Sequence, residues 1–253
     1  MEIGLNLFSI RNLIQTEADF FKTAQTLKEN GCAYLQYSGA PYEPERLKRV
    51  SEQTGLPIVL THVPMDRILN DTEKLMEEHA YFGCKNIGLG MMPFEAIRDE
   101  KRCKETVENL NAAAEKMQKA GFKFFYHHHH FEFIKQNGET VFDYIVRNAP
   151  SVNFTLDTYW LQYGGVDVCD TVKRLNGRME CVHLKDYKTH YYDERYQPIF
   201  APLGEGTLNF PKIVKTMKEN GVKYFLIEQD NAADLPDAMQ PILQSISYAK
   251  NSL

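Results

Sequence analysis

A closed (β/α)8 barrel of the TIM-barrel type, forming one domain over residues 1–253, is the fold the sequence predicts, and three observations predict it. Eight short apolar runs recur along the chain, each followed by a longer amphipathic segment. That alternation builds parallel strands joined by right-handed crossovers. Five of the amphipathic segments run into a glycine, at Asn30-Gly31, Thr54-Gly55, Ala120-Gly121, Asn176-Gly177 and Asn220-Gly221, the residue that ends helices in a left-handed turn. Finally, 253 residues is the size of eight such units closed on themselves. A doubly wound open sheet is weakened because no GxGxxG or GxxxxGKS/T pattern follows any apolar run.

The units follow in order. Residues 3–8 form the first apolar run, and 18–29 the first helical pattern, closed by Asn30-Gly31. The second unit joins 33–37 to 44–54, and the third joins 57–62 to 71–82. The fourth joins 86–90 to the long segment 99–120, and the fifth joins the aromatic run 122–127 to 141–148. The sixth joins 152–157 to 167–175, and the seventh joins 180–184 to 210–219. The last pairs 224–228 with 235–249. No Gly/Ser-rich or Pro-rich linker divides the chain.

Composition narrows the function classes. A net charge of −5 and a pI near 5.9 offer no general attraction to phosphate backbones or anionic membranes, so neither nucleic acid nor membrane is an expected partner. The five cysteines (Cys32, Cys84, Cys103, Cys169, Cys181) are odd in number and lack CxxC spacing, which fits reduced thiols and a cytoplasmic location. The N-terminus has no basic, then apolar leader pattern, and no stretch is long and apolar enough to span a bilayer.

In a barrel of this kind the chemistry sits at the C-terminal ends of the strands. There the sequence places Asn6 and Arg11, Gln36, His62, His127 and His129, Asp157, His183 with Lys185, and Glu228. His127 and His129, from the run His127-His128-His129-His130, would share one face of an extended chain and bind a metal or move protons. Asp157, His183 and Glu228, from three successive strands, form an oxygen/nitrogen set suited to Mn²⁺, Co²⁺, Zn²⁺ or Mg²⁺. The competing reading is a salt bridge of Asp157 or Glu228 with Lys185. His62 is a candidate donor to substrate, Trp160 a stacking surface for a sugar, and Glu205, between two glycines, a residue whose backbone bends toward the site. Surface and core roles compete for each. No Gly-rich phosphate cradle follows the late strands, so the substrate need not be phosphorylated.

Several motifs in order resemble the sugar phosphate isomerase/epimerase proteins of the xylose-isomerase-like barrel superfamily. They are Ile3-Gly4-Leu5-Asn6-Leu7-Phe8-Ser9-Ile10-Arg11, Tyr126-His127-His128-His129-His130-Phe131-Glu132-Phe133, Leu156-Asp157-Thr158-Tyr159-Trp160 with Gly164-Gly165-Val166-Asp167, Val182-His183-Leu184-Lys185-Asp186, Leu203-Gly204-Glu205-Gly206-Thr207-Leu208-Asn209-Phe210 and Ile227-Glu228-Gln229-Asp230. The resemblance implies a divalent metal held by a Glu, an Asp, a His and a second Glu. Asp157, His183 and Glu228 match the last three, while the fifth strand ends in His127 where an acid is expected. On this resemblance His127 or His129 takes the first ligand position or acts as the base. Gln36 also departs from the Glu that many relatives carry.

The implied activity is isomerisation or epimerisation of a keto-sugar, keto-inositol or related carbohydrate through a metal-stabilised enediolate, with His127, His129, Lys185 and Glu228 as the catalytic groups. Loss of a β-substituent from the same enediolate, as in a dehydratase or lyase, is the alternative, and a non-catalytic sugar-binding barrel is another. The superfamily's endonucleases need an extra His after the sixth-strand Asp, where this chain has Trp160. A homo-oligomer is left open.

Overall fold

The computed structural model describes all residues, 1–253, and contains a closed parallel barrel of eight strands. These are β1 (Gly4–Asn6), β2 (Tyr34–Tyr37), β3 (Ile58–His62), β4 (Asn86–Leu89), β5 (Lys123–His127), β6 (Asn153–Asp157), β7 (Cys181–Leu184) and β8 (Tyr224–Ile227). Each pairs with its sequence neighbours, and β1 closes the ring on β8 through Gly4↔Leu226 and Leu5↔Ile227. The strands are buried on both faces, as a helix-wrapped parallel sheet requires.

Helices cover the outside, with the long Glu100–Lys119 helix between β4 and β5 and Met239–Ser252 closing the last unit. The five predicted glycine caps all have positive φ: Gly31 91°, Gly55 67°, Gly121 78°, Gly177 85° and Gly221 85°. Their missing Cβ is what lets each helix stop and the chain turn into the next strand.

The two-residue period of the strands sorts side chains into an outer core and two inner layers. Outward residues such as Leu5, Leu35, Phe124, Phe154 and Ile227 join the main core against the helices. A separate cluster of six, Tyr34, Val59, Leu60, Phe125, Cys181 and Leu226, plugs the barrel interior toward its N-terminal end. Two residues further along, the inward positions are Gln36, His127, His183 and Glu228. The apolar plug is thus the floor on which the polar layer stands.

Where expectation and structure differ, the causes are local. The first strand stops at Asn6, because its side chain accepts from Phe8 N–H and starts the 3-10 segment Leu7–Leu13. After β7 the chain adds an antiparallel hairpin, Asp186–Tyr192 with Arg195–Ala201, that the sequence did not announce. Short helices Met65–Asn70, Phe94–Arg98 and Thr158–Tyr163 cap the mouth after β3, β4 and β6. No helix is long and apolar enough to cross a membrane.

Candidate metal centre at the barrel mouth

The C-terminal mouth of the barrel holds a cavity of about 350 Å³ lined by Phe8, Ser38, Gly39, His62, Gly90, Met91, His127, His129, Lys185, Glu228 and Asp230. Below it, one donor atom each from His127, Asp157, His183 and Glu228 lies within 4.8 Å of the other three. Strand register produces this meeting: Asp157 is the Cα partner of His183, and His183 that of Leu226, two residues before Glu228.

Each of the four residues spends one polar atom on the protein and keeps another free. His127 Nδ1 is 3.0 Å from Gly90 O, and Asp157 Oδ1 accepts from Trp160 N–H at 3.0 Å. His183 Nε2 lies 2.8 Å from Gln36 Oε1, and Glu228 Oε1 accepts from Asn6 Nδ2 at 2.5 Å. The remaining atoms, His127 Nε2, Asp157 Oδ2, His183 Nδ1 and Glu228 Oε2, are buried with no hydrogen bond of good geometry, and their close polar neighbours are one another and the Lys185 ammonium. Unpartnered buried polar atoms are costly and seldom kept. Four of them converging is what a cation site would leave in the protein alone, so the residues present fit a divalent metal.

Lys185 is the other resident charge. It is 1% exposed, and its Nζ lies 3.2 Å from Asp157 Oδ2, 3.0 Å from Glu228 Oε2 and 3.0 Å from Asp230 Oδ1. Burial opposes its charge, but the three carboxylates outweigh burial and hold its pKa above the ordinary value. Burial likewise opposes ionisation of Asp157 and Glu228, yet Lys185 and the imidazoles pull both below the usual carboxylate range. His183 is driven down by burial and up by Glu228 and Asp157, and the carboxylates win, raising it to about 9. Burial lowers His129 to about 2 and His128 to about 3, with nearby cationic groups adding to the shift, so both rings are neutral.

The structure brings some expected residues together and separates others. His127, not His129, joins the donor set, while His129 lines the cavity above it. His62 forms part of the cavity wall. Asn6 does not line the cavity and instead holds Glu228, with Ser38 Oγ donating to its Oδ1 at 2.5 Å. Trp160 does not line the cavity: Lys185 Nζ lies 4.9 Å from its ring centre and His129 packs on it at 5.1 Å. The Arg11 guanidinium donates to Phe8 O at 3.0 Å and Asp230 O at 3.1 Å, which draws it away from the lining. Glu205 sits on an exposed turn outside the cavity, and the flanking Gly204 and Gly206 N–H groups both donate to Asp186 Oδ2 at 3.0 Å.

Sequence reading did not single out Asp230, the third carboxylate on Lys185, although the Glu228-x-Asp230 spacing puts both on one face. It also missed Glu132, buried beneath the His run, which accepts from His129 N–H at 2.8 Å and from Tyr126 Oη at 2.5 Å. That carboxylate clamps the turn from which His129 projects.

A closed parallel barrel with a buried His/Asp/Glu donor set at its C-terminal mouth defines the class: a (β/α)8 barrel whose mouth could hold a metal ion. Within that class, the chain belongs to the xylose isomerase-like TIM barrel family, whose model matches residues 21–251. Among solved structures it resembles a sugar phosphate isomerase/epimerase of Parabacteroides distasonis at 22% identity and a TM-score of 0.82, covering 99% of this chain and 94% of the other. A second protein of that description from the same organism is 25% identical, with a TM-score of 0.79 and coverage of 99% and 98%. An inosose dehydratase of Clostridium perfringens is 23% identical over 167 residues, 61% of this chain and 56% of the relative, so the match spans little more than half of that protein.

Proposed function

We propose that the protein is a divalent-metal-dependent isomerase or epimerase acting on a keto-sugar, keto-inositol or related unphosphorylated carbohydrate. The four converging unpartnered donors carry this reading. Charge supports it: Asp157, Glu228 and Asp230 surround the single ammonium of Lys185, and once His183 gives up its Nδ1 proton to act as a ligand, the deficit left is one that a divalent cation offsets. A cation held there supplies Lewis acidity to a substrate carbonyl and its neighbouring hydroxyl.

The chain's own groups supply the rest. With His127 and Glu228 serving as ligands, His129 is the imidazole left at the cavity wall to accept the proton from the carbon between those oxygens. That role requires negative charge gathering on the bound substrate to offset the burial that lowers its proton affinity. Lys185 keeps its ammonium at the cavity, where it donates to the oxygen on which negative charge gathers. Returning the proton to the neighbouring carbon gives isomerisation, and returning it on the opposite face gives epimerisation. Lys185 is the lone Lys or Arg in the lining and is shared among three carboxylates, which favours an unphosphorylated substrate. Dehydration through the same enediolate is a second reading, favoured by the likeness to an inosose dehydratase.

The test is elemental analysis of the untagged wild type beside Asp157→Ala, followed by solvent deuterium uptake into keto-sugars and keto-inositols. Near-stoichiometric Mn, Co or Zn, lost in the variant, is the expected result. Metal absent from both after supplementation would replace the enzyme with a carbohydrate-binding barrel.

A further inference from the structure

We infer that Gln36 is a positioning residue that fixes which ring nitrogen carries the proton on both His183 and His62, making His62 Nδ1–H a donor to a substrate oxygen. The substrate half of this inference rests on the carbohydrate reading above.

Gln36 is fully buried at the end of β2, and its amide has one accepting and one donating end. Its Oε1 lies 2.8 Å from His183 Nε2, and its Nε2 lies 3.1 Å from His62 Nε2. An amide oxygen only accepts, so His183 must carry a proton on Nε2. That leaves Nδ1, 2.8 Å from Glu228 Oε2 and 3.8 Å from Asp157 Oδ2, as the nitrogen that faces the carboxylates: its N–H points at them in the metal-free protein, and it gives up that proton to serve as a ligand. The reverse orientation of the amide would put the proton on Nδ1 and take His183 out of the donor set. The cluster therefore dictates the amide's direction.

The other end of the amide then has no choice. Its N–H donates to His62 Nε2, so that atom holds a lone pair and the neutral ring bears its proton on Nδ1. His62 Nδ1 has no hydrogen-bond partner in the protein and is not among the buried unpartnered atoms. A Cβ at position 90 would come within 3.1 Å of it, and Gly90 keeps that space clear. Gly90 and His62 both line the cavity. The group presented there is a neutral donor, which suits a carbonyl or hydroxyl oxygen and not a proton to be removed. One buried amide thus couples the ligand nitrogen of His183 to the substrate-facing nitrogen of His62.

The test uses the whole 253-residue chain, metal-free, with ¹⁵N-labelled histidine, at a pH near 8, with His62 assigned by the peak lost in His62→Asn. Long-range proton–nitrogen spectra read which nitrogen of each ring is protonated. The wild type should show His62 as the Nδ1–H tautomer. Gln36→Glu, nearly the same shape but able only to accept, should move that proton to Nε2, and Gln36→Met should give a mixture of tautomers. Mn²⁺ titration of Gln36→Met should show affinity weakened about 10–100-fold. Saturating the wild type with a keto-inositol should shift the His62 Nδ1–H resonance more than that of His79, which is buried outside the cavity. An Nε2–H tautomer in the wild type, or one unchanged in both variants, overturns the inference, and equal shifts at His62 and His79 remove its substrate half. A wild type that binds no Mn²⁺ yet shows the Gln36-dependent tautomer refutes the metal proposal and leaves this one standing.

Discussion

Lys185 and His79 are both buried ionisable side chains, and they resolve the cost of burial in opposite ways. Lys185 stays charged because three carboxylates surround it, and its ammonium faces the cavity. Lys185→Met should therefore keep the metal donors and lose oxyanion stabilisation. Turnover should fall on the order of 10²–10³-fold with metal content retained, as for loss of other preorganised donors. A wild-type rate would remove Lys185 from the mechanism. His79 stays neutral instead: burial pushes its pKa down to about 4, with Nδ1 donating to Leu75 O at 2.8 Å and Nε2 accepting from Thr61 Oγ1 at 2.8 Å. The unfolded chain binds this proton near pH 6.5 and the folded one only near 4, so native stability is full above 6.5 and falls as pH drops between those values. The loss attributable to His79 is on the order of 3 kcal/mol. Urea melts at pH 7 and pH 4.5 should show His79→Asn with a smaller acid-induced loss than the wild type, and equal losses would sink the assignment.

The loop after the hairpin illustrates what the sequence could and could not convey about the elements. Gly204-Glu205-Gly206 reads as a bend carrying Glu205 to the site, yet the bend exists to wrap Asp186. The Asp186 carboxylate accepts from the N–H groups of Tyr187, Gly204, Gly206 and Leu208, and a Cβ on Gly206 would lie 2.1 Å from Asp186 Oδ1. Asp186→Ala strands those donors and should cost about 1–3 kcal/mol in a denaturant melt, whereas Glu205→Ala, being exposed, should stay within roughly 0.5 kcal/mol of wild type. The reverse ranking would mean that Glu205 does bind inside. Apolar runs bounded by glycine caps were legible because burial on both faces leaves no polar alternation to confuse them. The Asp186–Ala201 hairpin was not, since its turn places Asp193 and Glu194 at φ 50° and 57° with neither the Asn-Gly nor the Asp-Gly signal. Asp157, His183 and Glu228 were readable as strand ends. Gln36's link to His183 was not, because 147 residues separate partners that only barrel closure brings together.

Across the whole molecule, the two inner layers set stability and function against each other. The lower layer of Tyr34, Val59, Leu60, Phe125, Cys181 and Leu226 is apolar and self-sufficient. The upper layer keeps three carboxylates around one ammonium and leaves four donor atoms without a good hydrogen bond, an arrangement that lowers stability and that a bound cation would relieve. A ligand that binds only the folded chain stabilises it by RT ln(1 + [L]/Kd), about 2.7 kcal/mol at a hundredfold excess over Kd. For a barrel of this size that raises the thermal midpoint by roughly 5–10 °C. The metal-stripped wild type should show this rise on adding Mn²⁺. Asp157→Asn, which swaps a charged donor for a neutral amide of the same shape, should show little or none. Its metal-free midpoint should also move less than a buried Asp normally demands, because one of the mutually repelling carboxylates is gone. A wild type indifferent to Mn²⁺, Co²⁺, Zn²⁺ and Mg²⁺ would mean that Lys185 alone balances the upper layer, and the converging donors would then be a structural ion-pair network.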